Sequence, residues 1–178
     1  RLIHDHSEVT KGDILCLVGC EKIFTKLELN NSNIVVHESY LPKGKGWSPL
    51  SWQILEGLNK IPVTLFEADI NIDGGKIYFQ ECIKLSGDEL FDEIKHKQGL
   101  LTNNLIQKYV LSYPNVNGIK QVGKSTFYNR RTPKDSEIDI NKSINEQFDL
   151  FRIVDNHNYP AYFIKNNIKY ILKIEKED

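Results

Sequence analysis

Along the first hundred residues, short continuous apolar runs are separated by polar, glycine-containing breaks. Asp13 to Gly19 and Asn33 to His37 show no polar alternation, the pattern of strands buried on both faces of a parallel sheet. Glu21 to Leu29, between them, is long enough for a short helical crossover. Ser48 to Gly57 predicts a helix, with Ser48 as N-cap, Pro49 at the first helical position and Gly57 closing it. Ile61 to Ala68 and Lys76 to Ile83 read as strands joined by a turn that holds Asp73. Ser86 and Glu89 have capping-box spacing, and Leu90, Ile94, Leu101 and Leu105 recur on one face of a long helix that Gly99 stands to interrupt. Pro114 to Gly118 and the basic, aromatic stretch Ile119 to Arg131 read as a linker crossing the surface. A second capping box, Ser143 to Glu146, starts a helix with Ile144, Phe148 and Phe151 inward. Ala161 to Ile164 and Lys169 to Ile174 then make a hairpin about Asn166-Asn167.

This order is α/β, with a core over residues 1–113 and a linker plus small C-terminal helix and hairpin over residues 114–178. The chain opens almost directly on a central-type strand, so the sheet is expected to lack its first strand and helix units, that edge being covered by preceding residues or by another chain. The apolar hairpin strands make a homodimer a reasonable expectation.

Composition narrows the class. With 178 residues, 40% of them hydrophobic and 26% charged, the chain suits one soluble globular domain and not a disordered or fibrous one. No run is long enough for a membrane helix, and the N-terminus has no apolar signal core. Cys16, Cys20 and Cys82 are odd in number and lie in or beside apolar runs, which fits reduced thiols and a cytoplasmic setting. The pair His4 and His6 with Cys16 and Cys20 matches no ordinary zinc spacing, so no metal is expected. A formal net charge of −1 offers no general attraction to nucleic acid. The local patch of Lys120, Lys124, Arg130 and Arg131 reads either as a phosphate site or as solvated surface.

Chemistry concentrates where the second strand gives way to a loop. His37 opens the run His37-Glu38-Ser39-Tyr40-Leu41-Pro42-Lys43-Gly44-Lys45-Gly46, and Asp73-Gly74-Gly75 follows downstream. In open α/β sheets ligands collect beyond the carboxyl ends of strands, so an imidazole placed there can act on them. With Gly19 to Phe24, with Ser48-Pro49-Leu50-Ser51-Trp52 and Gly57, and with Val63-Thr64-Leu65 ahead of Asp73-Gly74-Gly75-Lys76-Ile77, this ensemble resembles the folate-dependent formyltransferases. The Lys43 to Pro49 run and Phe127 to Asp139 look most like the branch acting on nucleotide-linked amino sugars.

The resemblance implies a Rossmann-like formyltransferase core and transfer of the formyl group of 10-formyltetrahydrofolate to an amine, here that of a nucleotide-linked amino sugar used in surface glycans. Methionyl-tRNA or glycinamide ribonucleotide is the alternative acceptor within the family, and a non-catalytic nucleotide-sugar or folate binding module is the alternative outside it. The family's catalytic set carries over as His37, stabilising the oxyanion, and Asp73, its partner and proton acceptor. The family's Asn two residues before the His is Val35 here. Asn33 lies on the same strand face but about 6.6 Å further back, and serves only if the strand is bulged. Ser39 and the following backbone amides are other donors. Lys22, Ile23, Phe24, Glu67, Ala68, Asp69, Ile72 and Asp73 carry over as cofactor contacts, although Ile23 and Phe24 serve equally as plain core. Ser39, Lys45, Gly46, Tyr128 and Arg130 are the acceptor-side candidates, with Tyr128 stacking on a base and Arg130 gripping a diphosphate.

Overall fold

The computed structural model describes residues 1–20 and 22–177. Strand β1 (Gly12–Leu17) leads into β2 (Asn30–His37), which ends on the imidazole. A short strand β3 (Lys45–Gly46) precedes helix α1 (Pro49–Leu55), and β4 (Lys60–Glu67) and β5 (Ile77–Lys84) flank the Asp73 turn. These strands, β3 excepted, form one sheet in the order β1-β2-β4-β5. The sheet is mixed and not fully parallel. Only β1 and β2 run parallel, whereas β4 opposes both β2 and β5, because the short β4–β5 connection lets the chain simply reverse.

The crossover from β1 to β2 is not the expected helix. Glu21 lies outside the described residues, and Lys22 onward holds a single turn of 3-10 helix at Leu27–Leu29. Asn33 tethers that turn, its Nδ2 donating to Leu27 O at 2.8 Å. At α1, Pro49 takes the first helical position and Gly57 the expected left-handed closure (φ 82°). Ser48, however, is itself left-handed (φ 53°) and makes no side-chain cap.

Helix α2 (Phe91–Ser112) begins later than the Ser86 spacing suggests, and Gly99 does not break it. Its start is capped by Glu93, which accepts from Leu90 N at 2.8 Å. Glu89 instead turns inward beneath the loop, accepting from Ser86 N and Gly87 N. Ile94 and Leu105 of α2 are buried with Leu50 and Ile54 of α1 against Ile34, Val36, Val63 and Leu65 of the sheet. This apolar layer fixes β2, and so the position of His37.

Residues 119–131 cross the surface mostly exposed, and they pair with the core as they do so. Ile119 exchanges two backbone hydrogen bonds of 2.8 Å with Ile77, and β6 (Phe127–Tyr128) pairs in parallel with β3. The segment's peptide groups, which would otherwise need water, find partners on the two loops that carry the site. Beyond it, Ser143 and Glu146 cap one another as expected, leading through a 3-10 turn into α3 (Phe148–Ile153). Phe151 is buried and Phe148 half-buried, but Ile144 is exposed, because the first turn is 3-10 and carries it outward. Strands β7 (Ala161–Lys165) and β8 (Ile168–Leu172) close about Asn166 and Asn167, both at positive φ (50° and 61°), as a two-residue primed turn requires. Among the described residues no helix is long and apolar enough to cross a membrane.

Candidate active site

A cavity of about 750 Å³ opens beside the ends of β1 and β2. His37 and Asp73 both line it, each with a side chain mostly withdrawn from water. The His37 Nε2 stands 2.8 Å from Gly44 O and 3.7 Å from Asp73 Oδ2. A carbonyl oxygen only accepts, so Nε2 carries the hydrogen. Phe66 packs edge-on against the imidazole at 6.5 Å.

Asp73 does not bond the imidazole directly. Its Oδ2 accepts from Gly46 N at 2.8 Å, so the loop between Gly44 and Gly46 binds both members of the pair, one through a carbonyl and the other through an amide. That loop is held from behind by residues 126–128: Gly44 N donates to Thr126 Oγ1 and Lys45 N to Thr126 O. Gly46 (φ 97°) is required here, since a Cβ would run into the Tyr128 carbonyl oxygen. Gly75 has the same necessity on the Asp73 side, where a Cβ would strike Glu67 O.

The structure distributes the other expected residues unevenly. Lys22, Ile23, Phe24, Ala68, Asp69 and Ile72 line the cavity on the side of the crossover and the β4–β5 connection, together with Val35 at the position of the family's Asn. Phe24 is buried, with its ring edge-on to His6, whereas Ile23 is exposed to the cavity mouth. Glu67 takes part through its backbone, accepting Gly75's close approach and donating to Lys76 O. Gly46 and Arg130 line the cavity, and Lys45 contributes backbone pairing to β6.

Three other candidates do not line the cavity. Asn33 is spent on Leu27 O, and β2 keeps an unbroken register with β1 from Leu15 opposite Asn33 to Leu17 opposite Val35, so no bulge brings it forward. Ser39 is buried under the turn with its Oγ unpartnered among the described residues, away from the cavity lining. Tyr128 stacks on Trp52 (6.4 Å, 14°) and donates its hydroxyl to Glu56 at 2.8 Å, which, with burial, pushes its pKa up to about 12. Its ring and hydroxyl therefore brace α1 against β6 and do not face the cavity.

Phe66 was missed in the sequence, and Arg131 was read there only as part of the basic patch and not among the acceptor-side candidates. Phe66 sits on a strand buried on both faces, so no alternation singles it out. Arg131 lines the cavity beside its predicted neighbour Arg130. Its guanidinium lies 5.9 Å over Trp52 and donates to Asp135 O, and burial holds its pKa below the ordinary arginine value. Among the described residues no group of three or more His, Cys, Asp or Glu is placed to hold a metal ion.

Known proteins are similar to this chain in sequence and fold. A bifunctional polymyxin resistance protein, ArnA, from Wigglesworthia glossinidia brevipalpis is 31% identical over 157 residues, covering 83% of this chain but 24% of its own, so the chain spans about a quarter of that relative's length. A 4-N formyltransferase from Francisella tularensis superposes with a TM-score of 0.77 at 25% identity, over 93% of this chain and 72% of that one. A methionyl-tRNA formyltransferase from Clostridium thermocellum gives 0.79 at 24% identity, over 93% and 73%, a likeness of fold. The family model described as formyl transferase matches residues 3–108, a stretch that includes the β2 end, His37, its glycine loop and Asp73. On the sequence match and the shared architecture, this chain belongs to the formyl transferase family.

Proposed function

We propose that this chain transfers the formyl group of 10-formyltetrahydrofolate to the amine of a nucleotide-linked amino sugar. The observation that carries the reading is the His37–Asp73 pair, 3.7 Å apart and shielded, at the wall of a cavity large enough for two ligands to meet. The donor fits the residues present: Phe24, Phe66 and Ile72 offer an apolar cleft for a flat ring, and Asp69 and Asp73 bring acceptors to its edge. When bound, the folate supplies the formyl carbon that the amine attacks. His37 donates its Nε2 hydrogen to the oxyanion that develops, exchanging Gly44 O for the reacting oxygen. The Asp73 carboxylate, steadied by Gly46 N, would accept the proton that the amine loses, directly or through water, and that proton would balance the folate nitrogen released as its bond to the formyl carbon breaks.

The sugar acceptor rests on the resemblance of Lys43 to Pro49 to that branch and on the 4-N formyltransferase among the relatives at 25% identity. Arg131 gives the acceptor side of the cavity a partly desolvated cation suited to phosphate. A homodimer through the β7–β8 hairpin, where Ile164, Ile168 and Ile171 are exposed, belongs to the same reading. The test is incubation of the chain with 10-formyltetrahydrofolate and, in turn, nucleotide-linked amino sugars, glycinamide ribonucleotide and methionyl-tRNA, with mass spectrometry of the acceptor. Formylation of a sugar nucleotide that disappears in His37→Ala supports the reading; formylation only of the tRNA or ribonucleotide moves it to another branch.

Val35 favours a second reading, a binding module without turnover, because an aliphatic side chain lines the cavity where the family has an amide donor. Val35→Asn separates the two. An enzyme adapted to valine keeps its rate within about tenfold, whereas a relic shows ligand binding and no formyl transfer in either form.

A further inference from the structure

Asp73 is held from a part of the chain beyond the matched family segment. Its backbone is left-handed (φ 48°), a conformation that is unfavourable for a non-glycine residue and persists only where the surroundings impose it. Gln121 supplies that imposition. Its Nε2 donates to Asp73 O and to Gly75 O, both at 2.8 Å, so both hydrogens of one amide are spent on two carbonyls of a single turn. The reverse orientation would set the amide oxygen against those two carbonyls, so the assignment of nitrogen and oxygen follows from the partners. Oε1 is left buried and unpartnered among the described residues. Such an orphan is a cost of keeping the amide that an apolar side chain there would avoid.

Resting on the formyl-transfer reading, we propose that Gln121 is a positioning residue for Asp73. It does not line the cavity. It fixes the backbone of the Asp73 turn while Gly46 N fixes the carboxylate, and together these set the 3.7 Å approach to His37. Gln121 is itself anchored two residues back, where Ile119 exchanges its pair of hydrogen bonds with Ile77 at the start of β5. The stretch from Ile119 to Tyr128 therefore clasps both catalytic loops, one through Gln121 and the other through Thr126 and β6.

The experiment compares Gln121→Glu, which keeps the shape without the donors, and Gln121→Met, which keeps the volume without either polar group. Two readouts are taken: amide hydrogen exchange of the peptide spanning residues 69–77, and kcat and KM with the same comparison in an Asp73→Asn background. Both variants are expected to speed exchange in that peptide by about tenfold with α2 unchanged, to lower kcat by about tenfold or more, and to leave each KM within about twofold. In the Asp73→Asn background neither is expected to cost anything further, because the residue they position is already disabled. Unchanged exchange in residues 69–77, or kinetic losses that multiply in the double variants, would overturn the proposal. Absence of formyl transfer in the unaltered chain would strike the activity reading alone, and the exchange data would still decide the role of Gln121.

Discussion

Replacing Glu89 by Gln should destabilise the chain strongly at neutral pH and much less in acid. The carboxylate is 5% exposed and receives Ser86 N at 2.8 Å, Gly87 N at 3.1 Å and Lys97 Nζ, with Arg152 Nη2 at 3.5 Å. Burial works against its ionisation, yet the hydrogen bonds from Lys97, Ser86 and Gly87 outweigh burial and bring the pKa down from 4.5 to about 2. A depressed carboxylate stabilises the fold fully above its unfolded pKa and loses that contribution as pH falls toward the folded value. The shift corresponds to about 3 kcal/mol above pH ~5, of which about 2 kcal/mol is gone by pH ~3. The Glu89→Gln change would also leave Arg152, 1% exposed, with Asp149 as its remaining carboxylate partner. Urea unfolding of both forms at pH 7 and pH 3 measures this. With a slope of about 2 kcal/mol per molar, the midpoints should differ by about 1.5 M at neutral pH and by less than half of that in acid. Equal differences at the two pH values would show that the effect is one of packing and not of charge.

Other substitutions test the site and the turns directly. His37→Ala and Asp73→Asn should each lower kcat for formyl transfer by about a hundred- to a thousandfold, the cost of losing one positioned group, with folate KM little changed in steady-state assays. Gly75→Ala forces its Cβ into Glu67 O, so circular dichroism should report a folded chain while the displaced Asp73 turn depresses kcat. Asn167→Val places a β-branched residue at φ 61° and should cost about 1–2 kcal/mol in thermal unfolding, whereas Asn167→Gly should cost nothing or stabilise.

The elements that were legible in the sequence are those whose cause is local. A continuous apolar run marked β2, alternation marked β4, Pro49 with Gly57 marked α1, and Asn166-Asn167 marked the hairpin, because a turn at positive φ or a strand's apolar pattern leaves its mark within a few residues. Where a local pattern has two physical uses, the sequence was ambiguous. Ser86 and Glu89 satisfy capping-box spacing, but their hydrogen bonds close a loop, and the helix waits for Leu90 and Glu93. Helical spacing turned Ile144 inward, whereas the first turn there is 3-10 and rotates it to solvent.

The site divides along the same line. His37 and Asp73 could be found because each occupies a short motif with a recognisable backbone setting, a strand end and a glycine turn. What joins them could not be found that way. Gly44 O, Gly46 N, Asp73 O and Gly75 O are backbone atoms, which every residue possesses, and their partners stand up to 48 positions away. A basic, aromatic stretch such as Ile119 to Arg131 draws attention to its charges, yet Gln121 and Thr126, both uncharged, hold the two loops. Lys120, Lys124 and Arg130 are exposed beside them. For a pair working across 3.7 Å, a loop shift of a fraction of an ångström matters more than one additional surface charge. Loss of activity in this chain should therefore follow from substitutions at Gln121 and Thr126 sooner than from neutralising Lys120 or Lys124, an ordering that kcat values for the four alanine variants would reveal.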